Sequence, residues 1–285
     1  MMRTTHAEVT GHYTMGGLGD RILGALKAAG KDLDALTVDD LAPVDEFHIR
    51  GRAATEELAQ WADVRPDHLL LDVGCGLGGT GRYMAANFGC RVVGLDVTEE
   101  YCRVAEMLSA RIGMGDRTSF RHGSALALPF AENHFDVAWT EHVQMNIAEK
   151  ARFYGEIARV LKPGGLFAFH DIFAGPESGL HFPVPWASES GISHLIAVEG
   201  LEVVLADSGF ELVRWEDKTE ASTAFFKEAL QRLPADDQGT IGLHMLMGTD
   251  ARTKFANVLR NLEENRARVV QAVMRLTPVP GARVA

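Results

Sequence analysis

From residue 68 onward, short apolar runs alternate with amphipathic stretches, and this alternation organises the chain. The apolar runs predict strands over 68–73, 91–96, 118–122, 135–140, 165–171 and 210–216. Helical runs near 80–88, 99–111, 149–161 and 199–208 lie between most of them. Apolar strands separated by helices argue for a parallel, doubly wound α/β sheet. Two segments break the pattern. Residues 173–194 are rich in proline, glycine and aromatics (Phe182-Pro183-Val184-Pro185-Trp186), which predicts an ordered loop rather than a crossover helix. Residues 219–266 have helical periodicity without glycine-rich strand ends. Beyond them, 266–276 is rich in β-branched residues and reads as a last, antiparallel strand. The tail after Thr277, with Pro278 and Pro280, reads as frayed. Residues 1–60 are helical pieces broken at Gly16-Gly17-Leu18-Gly19 and Ala42-Pro43-Val44, with an amphipathic helix over 51–61. The expected organisation is therefore a helical lid segment (1–60), an α/β core (61–218), a helical cap insert (219–266), and a last strand with its tail (267–285).

Composition narrows the function classes. The 285 residues are 46% hydrophobic and 24% charged, as in an ordinary globular protein with an ample core. Asp and Glu outnumber Lys and Arg by 39 to 28, a formal charge of −11. Such a field repels phosphate backbones, so nucleic acid is not an expected partner. No stretch approaches the ~18 apolar residues of a membrane span. The start lacks the apolar stretch of a signal peptide, and Cys75, Cys90 and Cys102 form neither a zinc pattern nor a disulfide framework. A cytoplasmic protein is expected, with its oligomeric state left open.

The candidate chemistry begins at Leu69-Leu70-Leu71-Asp72-Val73-Gly74-Cys75-Gly76-Leu77-Gly78-Gly79-Thr80-Gly81, an apolar strand running into an acid and a glycine-rich turn. Glycine lets the backbone approach a nucleotide-like ligand at the strand's carboxyl end, the hallmark of a Rossmann-like sheet. Gly74-x-Gly76-x-x-Gly79 and Gly76-x-Gly78-x-x-Gly81 both satisfy a dinucleotide fingerprint, while Asp72-x-Gly74-x-Gly76-x-Gly78 fits the looser pattern of an S-adenosylmethionine site. Asp96, 22 residues after Gly74, closes the second strand and would accept from ribose hydroxyls in either case. Asp72 separates the two. A carboxylate ahead of the first glycine does nothing for a pyrophosphate but suits a cationic amino-acid end.

Two further motifs follow: Gly123-Ser124-Ala125-Leu126-Ala127-Leu128-Pro129-Phe130 ahead of Phe135-Asp136, and Leu161-Lys162-Pro163-Gly164-Gly165 between a helix and a strand. With these the chain resembles a class I S-adenosylmethionine-dependent methyltransferase of the small-molecule type, near the ubiquinone/menaquinone and sarcosine/dimethylglycine group. The resemblance covers about residues 48–216. It implies that Gly74, Gly76 and Gly78 pack under the cofactor's methionine and ribose, with Asp72 near the amino-acid end. Asp96 would hold the ribose, Val97 would lie against the adenine, and Ser124, Ala125 and Leu126 would flank its edge. The family usually has an aspartate where this chain has Ser124. Glu141 would lie near the methionine end, and Arg52 would contact the cofactor carboxylate.

For the acceptor, His142 follows the fourth predicted strand, where open α/β sheets place their chemistry, and is the candidate general base. Tyr13, Asp171 and Trp186, together with His142, are the candidate substrate contacts. His170, His181 and His194 match no structural zinc spacing, so no metal is expected. The expected function is transfer of a methyl group from S-adenosylmethionine to a small metabolite. The acidic charge and the resemblance favour N-methylation of an amine or amino acid. O- or C-methylation of a natural-product or quinone-like ring is the alternative, as is a relative that binds the cofactor without methylating.

Overall fold

The computed structural model describes residues 6–14, 16–232, 242, 244–248 and 250–277. Four helices precede the first strand: α1 (His6–Tyr13), α2 (Leu18–Ala28), α3 (Val38–Asp45) and α4 (Arg52–Trp61). The core then alternates through β1 (Leu69–Val73), α5 (Gly79–Phe88), β2 (Arg91–Asp96), α6 (Glu99–Arg111), β3 (Thr118–His122) and β4 (Phe135–Glu141). It continues through α7 (Lys150–Val160), β5 (Leu161–Ala174), α8 (Val198–Asp207) and β6 (Phe210–Asp217). Helices α9 (Thr219–Arg232), α10 (His244–Met247) and α11 (Ala251–Glu263) lead into β7 (Ala267–Leu276). The tail after Thr277 lies outside the described residues.

The seven strands form one sheet in the order β3-β2-β1-β4-β5-β7-β6. All neighbours are parallel except β7, which runs antiparallel to both β5 and β6. The chain winds outward from β1 to β3, then returns to place β4 on the other side of β1. That reversal opens a crevice beyond the carboxyl ends of β1 and β4, where such sheets bind ligands.

Alternation along the central strands explains the two-sided core. Phe167 and Phe169 of β5 join Tyr154 and Ile157 of α7 on one face. Ala168, between them, faces the other side with Trp139, Leu58 of α4 and Met84 of α5. Strand β5 is longer than the predicted 165–171. It starts at Leu161, because its first residue already pairs with Phe135 before a bulge restores register at Val137 and Leu166. It ends at Ala174, because Ile172, Phe173 and Ala174 keep pairing with β7.

The N-terminal helices are fastened to the core by a buried pair. Asp45, at the end of α3, accepts from Arg82 Nη2 and Nε of α5 at 2.5 and 3.3 Å. The Asp45 side chain is 1% exposed and that of Arg82 0%. Gly79 permits this approach, since a Cβ there would lie 2.4 Å from the Asp45 Cβ.

On the other side, α9 and α11 pack through Phe226 and Phe255, whose ring centroids are 5.2 Å apart. The same apolar cluster takes in Val184, Trp186, Ile172 and Val269. Residues 173–194 contain no strand or α-helix beyond the end of β5, only a short 3-10 turn at Ser190–Ile192. Helix α11 pins this stretch through Asn261, which bonds both His181 N and O, and through Asn257, which donates to Pro183 O. Among the described residues, no helix is long and apolar enough to cross a membrane.

Candidate functional site

The crevice above β1 and β4 is a cavity of about 230 Å³. Its floor is the glycine turn. Gly74 N and Cys75 N both donate to Leu95 O, at 2.7 and 3.1 Å, which ties the turn to β2. Gly74 has φ 76°, and a Cβ on it would sit 2.4 Å from Val143 Cγ2. Position 74 therefore requires glycine both for its backbone and for the close packing of the loop after β4.

Asp96 ends β2 and is fixed by backbone amides: Gly76 N donates to Oδ2 at 3.0 Å and Thr98 N to Oδ1 at 2.8 Å. Asp72 is only 3% exposed, and its Oδ2 has no hydrogen-bond partner. Burial, with Glu141 and Asp96 nearby, pushes the Asp72 carboxyl well above the ordinary carboxylate range. Glu141 accepts from Thr80 at 2.7 Å and from Thr55 at 3.0 Å, with His48 Nε2 3.4 Å away. These three carboxylates line one end of the cavity, and among the described residues neither lysine nor arginine lines it. That end is built to receive positive charge.

Val97, Ser124, Ala125 and Leu126 line the adjoining wall. Two of the expected cofactor contacts lie elsewhere. Gly78 does not line the cavity; it starts α5 in a left-handed conformation, packed on Phe120. Arg52 is turned to the outside, donating to Glu46 at 3.0 Å and to Asp39 at 2.5 Å, with its guanidinium over the Tyr83 ring. Two carboxylates and an aromatic face hold it away from the cavity.

The opposite end is chemically different. Phe225, Phe226, Phe255 and Val258 of α9 and α11 line it, along with Leu246 of α10. Tyr13 and Trp186, the expected substrate contacts, also line the cavity, with their polar atoms engaged. Tyr13 donates to Asn146 Oδ1 at 3.0 Å, and Trp186 Nε1 donates to Ser193 at 3.0 Å. Asn146 in turn donates to Trp186 O and Ile192 O, so it joins α1, the loop after β4 and the 173–194 segment. Sequence reading missed Asn146, Thr55, Thr80, His48 and the phenylalanines of the cap. Each acts through contacts between segments distant in the chain.

His142 also lines the cavity. Its backbone is left-handed, φ 54°, uncommon for a side chain with a Cβ, and its N–H donates to His170 O at 2.9 Å. Its Nε2 is buried without a partner. Burial, reinforced by the His170 and His48 imidazoles, pushes its pKa well below the usual histidine value. The ring is therefore neutral at pH 7 and able to take a proton. Asp171, the other expected substrate contact, does not reach the cavity. It is 1% exposed and accepts from Val143 N, Gln144 N and Ile172 N. Three backbone amides occupy the carboxylate that an amine was expected to meet.

A doubly wound sheet, a glycine turn at its switch point and a carboxylate closing β2 define a class of adenosine-cofactor domains. A family profile described as a methyltransferase domain matches residues 71–169, from β1 into β5. The matched core is that of the class I S-adenosylmethionine-dependent methyltransferases. It is 33% identical over 172 residues to a sterol 24-C-methyltransferase of Eremothecium gossypii, covering 57% of this chain and 45% of that one. It is 30% identical over 187 residues to the methyltransferase GfsG of Streptomyces halstedii, covering 64% of this chain and 66% of that one. The aligned part thus spans less than two thirds of either relative. The crystal structure of the [4+2]-cyclase SpnF shares the fold over 92% of this chain and 93% of its own, with a TM-score of 0.68 at 24% identity.

Proposed function

We propose that this protein transfers a methyl group from S-adenosylmethionine to a hydroxyl group of an apolar small molecule, with His142 as general base. The observation that carries this reading is the division of one cavity into an acidic end and an apolar end, with a neutral imidazole also lining it. The donor supplies a methyl group already activated by its sulfonium charge. The chain supplies the rest. Asp72 and Glu141 offer carboxylate charge to the donor's cationic end, Asp96 accepts from its ribose, and Val97, Ser124, Ala125 and Leu126 enclose its adenine. The aromatic cap and Tyr13 exclude water and align the acceptor, which is worth about 7–11 kcal/mol in such transfers. His142 Nε2 takes the proton that the acceptor hydroxyl sheds as its oxygen gains the methyl group.

The expected amine acceptor is the second reading, and the cavity's carboxylates speak for it. Asp72, Asp96 and Glu141 belong to the donor end, however, whereas the cap contributes phenylalanines to the lining. The lack of lysine and arginine among the lining residues also disfavours phosphorylated acceptors. The relative from E. gossypii is named for C-methylation of a sterol, an apolar acceptor methylated at carbon. A labelled-methyl assay with apolar alcohols and phenols, amines, phosphate esters and apolar alkenes tests the reading. Label on the alcohols supports it, whereas label confined to amines or to carbon overturns it. Label on none of them favours a binding protein that does not methylate.

Charge at the donor end has a measurable consequence. The raised Asp72 carboxyl retains a proton where an ordinary one has lost it. A cationic ligand favours the ionised form, so binding releases that proton and affinity rises with pH. Calorimetry of S-adenosylmethionine binding at pH 7, in two buffers of different ionisation enthalpy, should detect proton release by the wild type. Asp72→Asn should lose it; equal release by both proteins would assign the proton to another group.

A further inference from the structure

The left-handed backbone of His142 is the kind of conformation that costs about 1–3 kcal/mol and persists only where its surroundings enforce it. Those surroundings are specific. Asp171, in β5 beside the end of β4, turns its carboxylate onto the loop that His142 begins. Its Oδ2 accepts from Val143 N and Gln144 N, both at 3.0 Å, and its Oδ1 accepts from Ile172 N at 2.8 Å. From the other side, Lys150 Nζ donates to Gln144 O, and the Gln144 carboxamide donates to Ile172 O. Asp171 and Lys150 are buried, and each lies in the other's field.

The clamped residues face both halves of the reaction. His142 lines the cavity. Val143, the next residue, packs so closely on the donor turn that a Cβ on Gly74 would lie 2.4 Å from its Cγ2. A displacement of this loop therefore shifts the base relative to the donor turn on which Val143 packs.

We propose that Asp171 is a positioning residue that fixes the spacing between the donor turn and His142. It touches neither cofactor nor acceptor and acts through the backbone of 142–144. The proposal rests on the reading of His142 as the base. Misplacement of reacting groups by about 1 Å costs on the order of a hundredfold in rate, and loss of the clamp should reach that scale.

Asp171→Asn alone would strand a buried lysine, so the informative protein is the double variant Asp171→Asn/Lys150→Met, which removes both charges. Thermal melting, calorimetric donor affinity, kcat on the best alcohol and amide hydrogen exchange over 142–146 are measured together. The expected result is a folded protein with donor affinity near wild type, kcat lower by about a hundredfold, and faster exchange over 142–146. Wild-type kcat, or unchanged exchange in that loop, overturns the proposal. A fall in donor affinity that accounts for the whole rate loss also overturns it. If the double variant does not fold, Asp171→Glu keeps the charge pair and displaces the amides, and the same readouts decide. A wild-type protein that methylates no alcohol sinks the reading of His142 instead, while exchange over 142–146 still reports whether the clamp exists.

Discussion

Replacing His142 with alanine is expected to lower kcat by about 10²–10⁴-fold, the usual contribution of a positioned general base, while donor affinity stays close to wild type. The argument starts from protonation. Burial and two neighbouring imidazoles keep this ring neutral well below the usual histidine pKa. It is already deprotonated at pH 7, although the same lowering makes it a weaker base. Its own titration limb is displaced to low pH, so at saturating donor kcat/KM for the acceptor should be flat from about pH 6.5 to 8. The profile should fall only in more acidic solution, and in the variant that acidic limb should disappear. A limb centred at the ordinary histidine pKa would mean that the working base is another, better-solvated group. An alanine variant with wild-type kcat would mean that the acceptor needs no base, as for a neutral amine.

The largest effect on stability is expected at Asp45. Arg82 is completely buried, and besides Asp45 it donates, among the described residues, only to Ala105 O and Ser109. Asp45→Ala leaves that guanidinium charged in a dry interior. Breaking one side of a buried pair typically costs about 3–5 kcal/mol. The penalty comes from the stranded charge rather than from the worth of the pair itself. The double variant Asp45→Ala/Arg82→Met should therefore recover most of the loss. Urea unfolding with unchanged m-values would measure both. A loss below about 1 kcal/mol in the single variant would show that water reaches Arg82 and solvates it.

Local signals made the donor end legible. A strand end, a glycine turn and the acid closing the next strand are fixed within a few residues of each other. Asp72, Gly74, Gly76 and Asp96 consequently stand in one cavity, as their spacing implied. The acceptor end was not legible in the same way, because it is assembled from α1, the loop after β4, residues 173–194 and the cap. Helical periodicity indicated that 219–266 folds as helices but not which phenylalanines face the crevice. Arg52 and Asp171 illustrate the limit. Both stand at element ends where site residues are common, yet Glu46 and Asp39 claim one and three backbone amides claim the other. Overall charge says little about the acceptor for a related reason. The sum of −11 carries no position, whereas the carboxylates that matter cluster at the donor end.

The antiparallel pairing of β6 and β7 also bears on how acceptor preference can change. Asp217 and Val270 face each other across that ladder, and Lys218 N donates to Val269 O at its mouth. Helices α9, α10 and α11 are thus the content of one oversized hairpin loop whose two ends are already stapled together. Closing a longer loop costs only about 0.6 kcal/mol per doubling of its length. Such a loop can be lengthened, shortened or exchanged while the parallel strands that carry the donor turn stay as they are. The glycine turn is built into the sheet, while part of the cavity's apolar lining is carried on this loop.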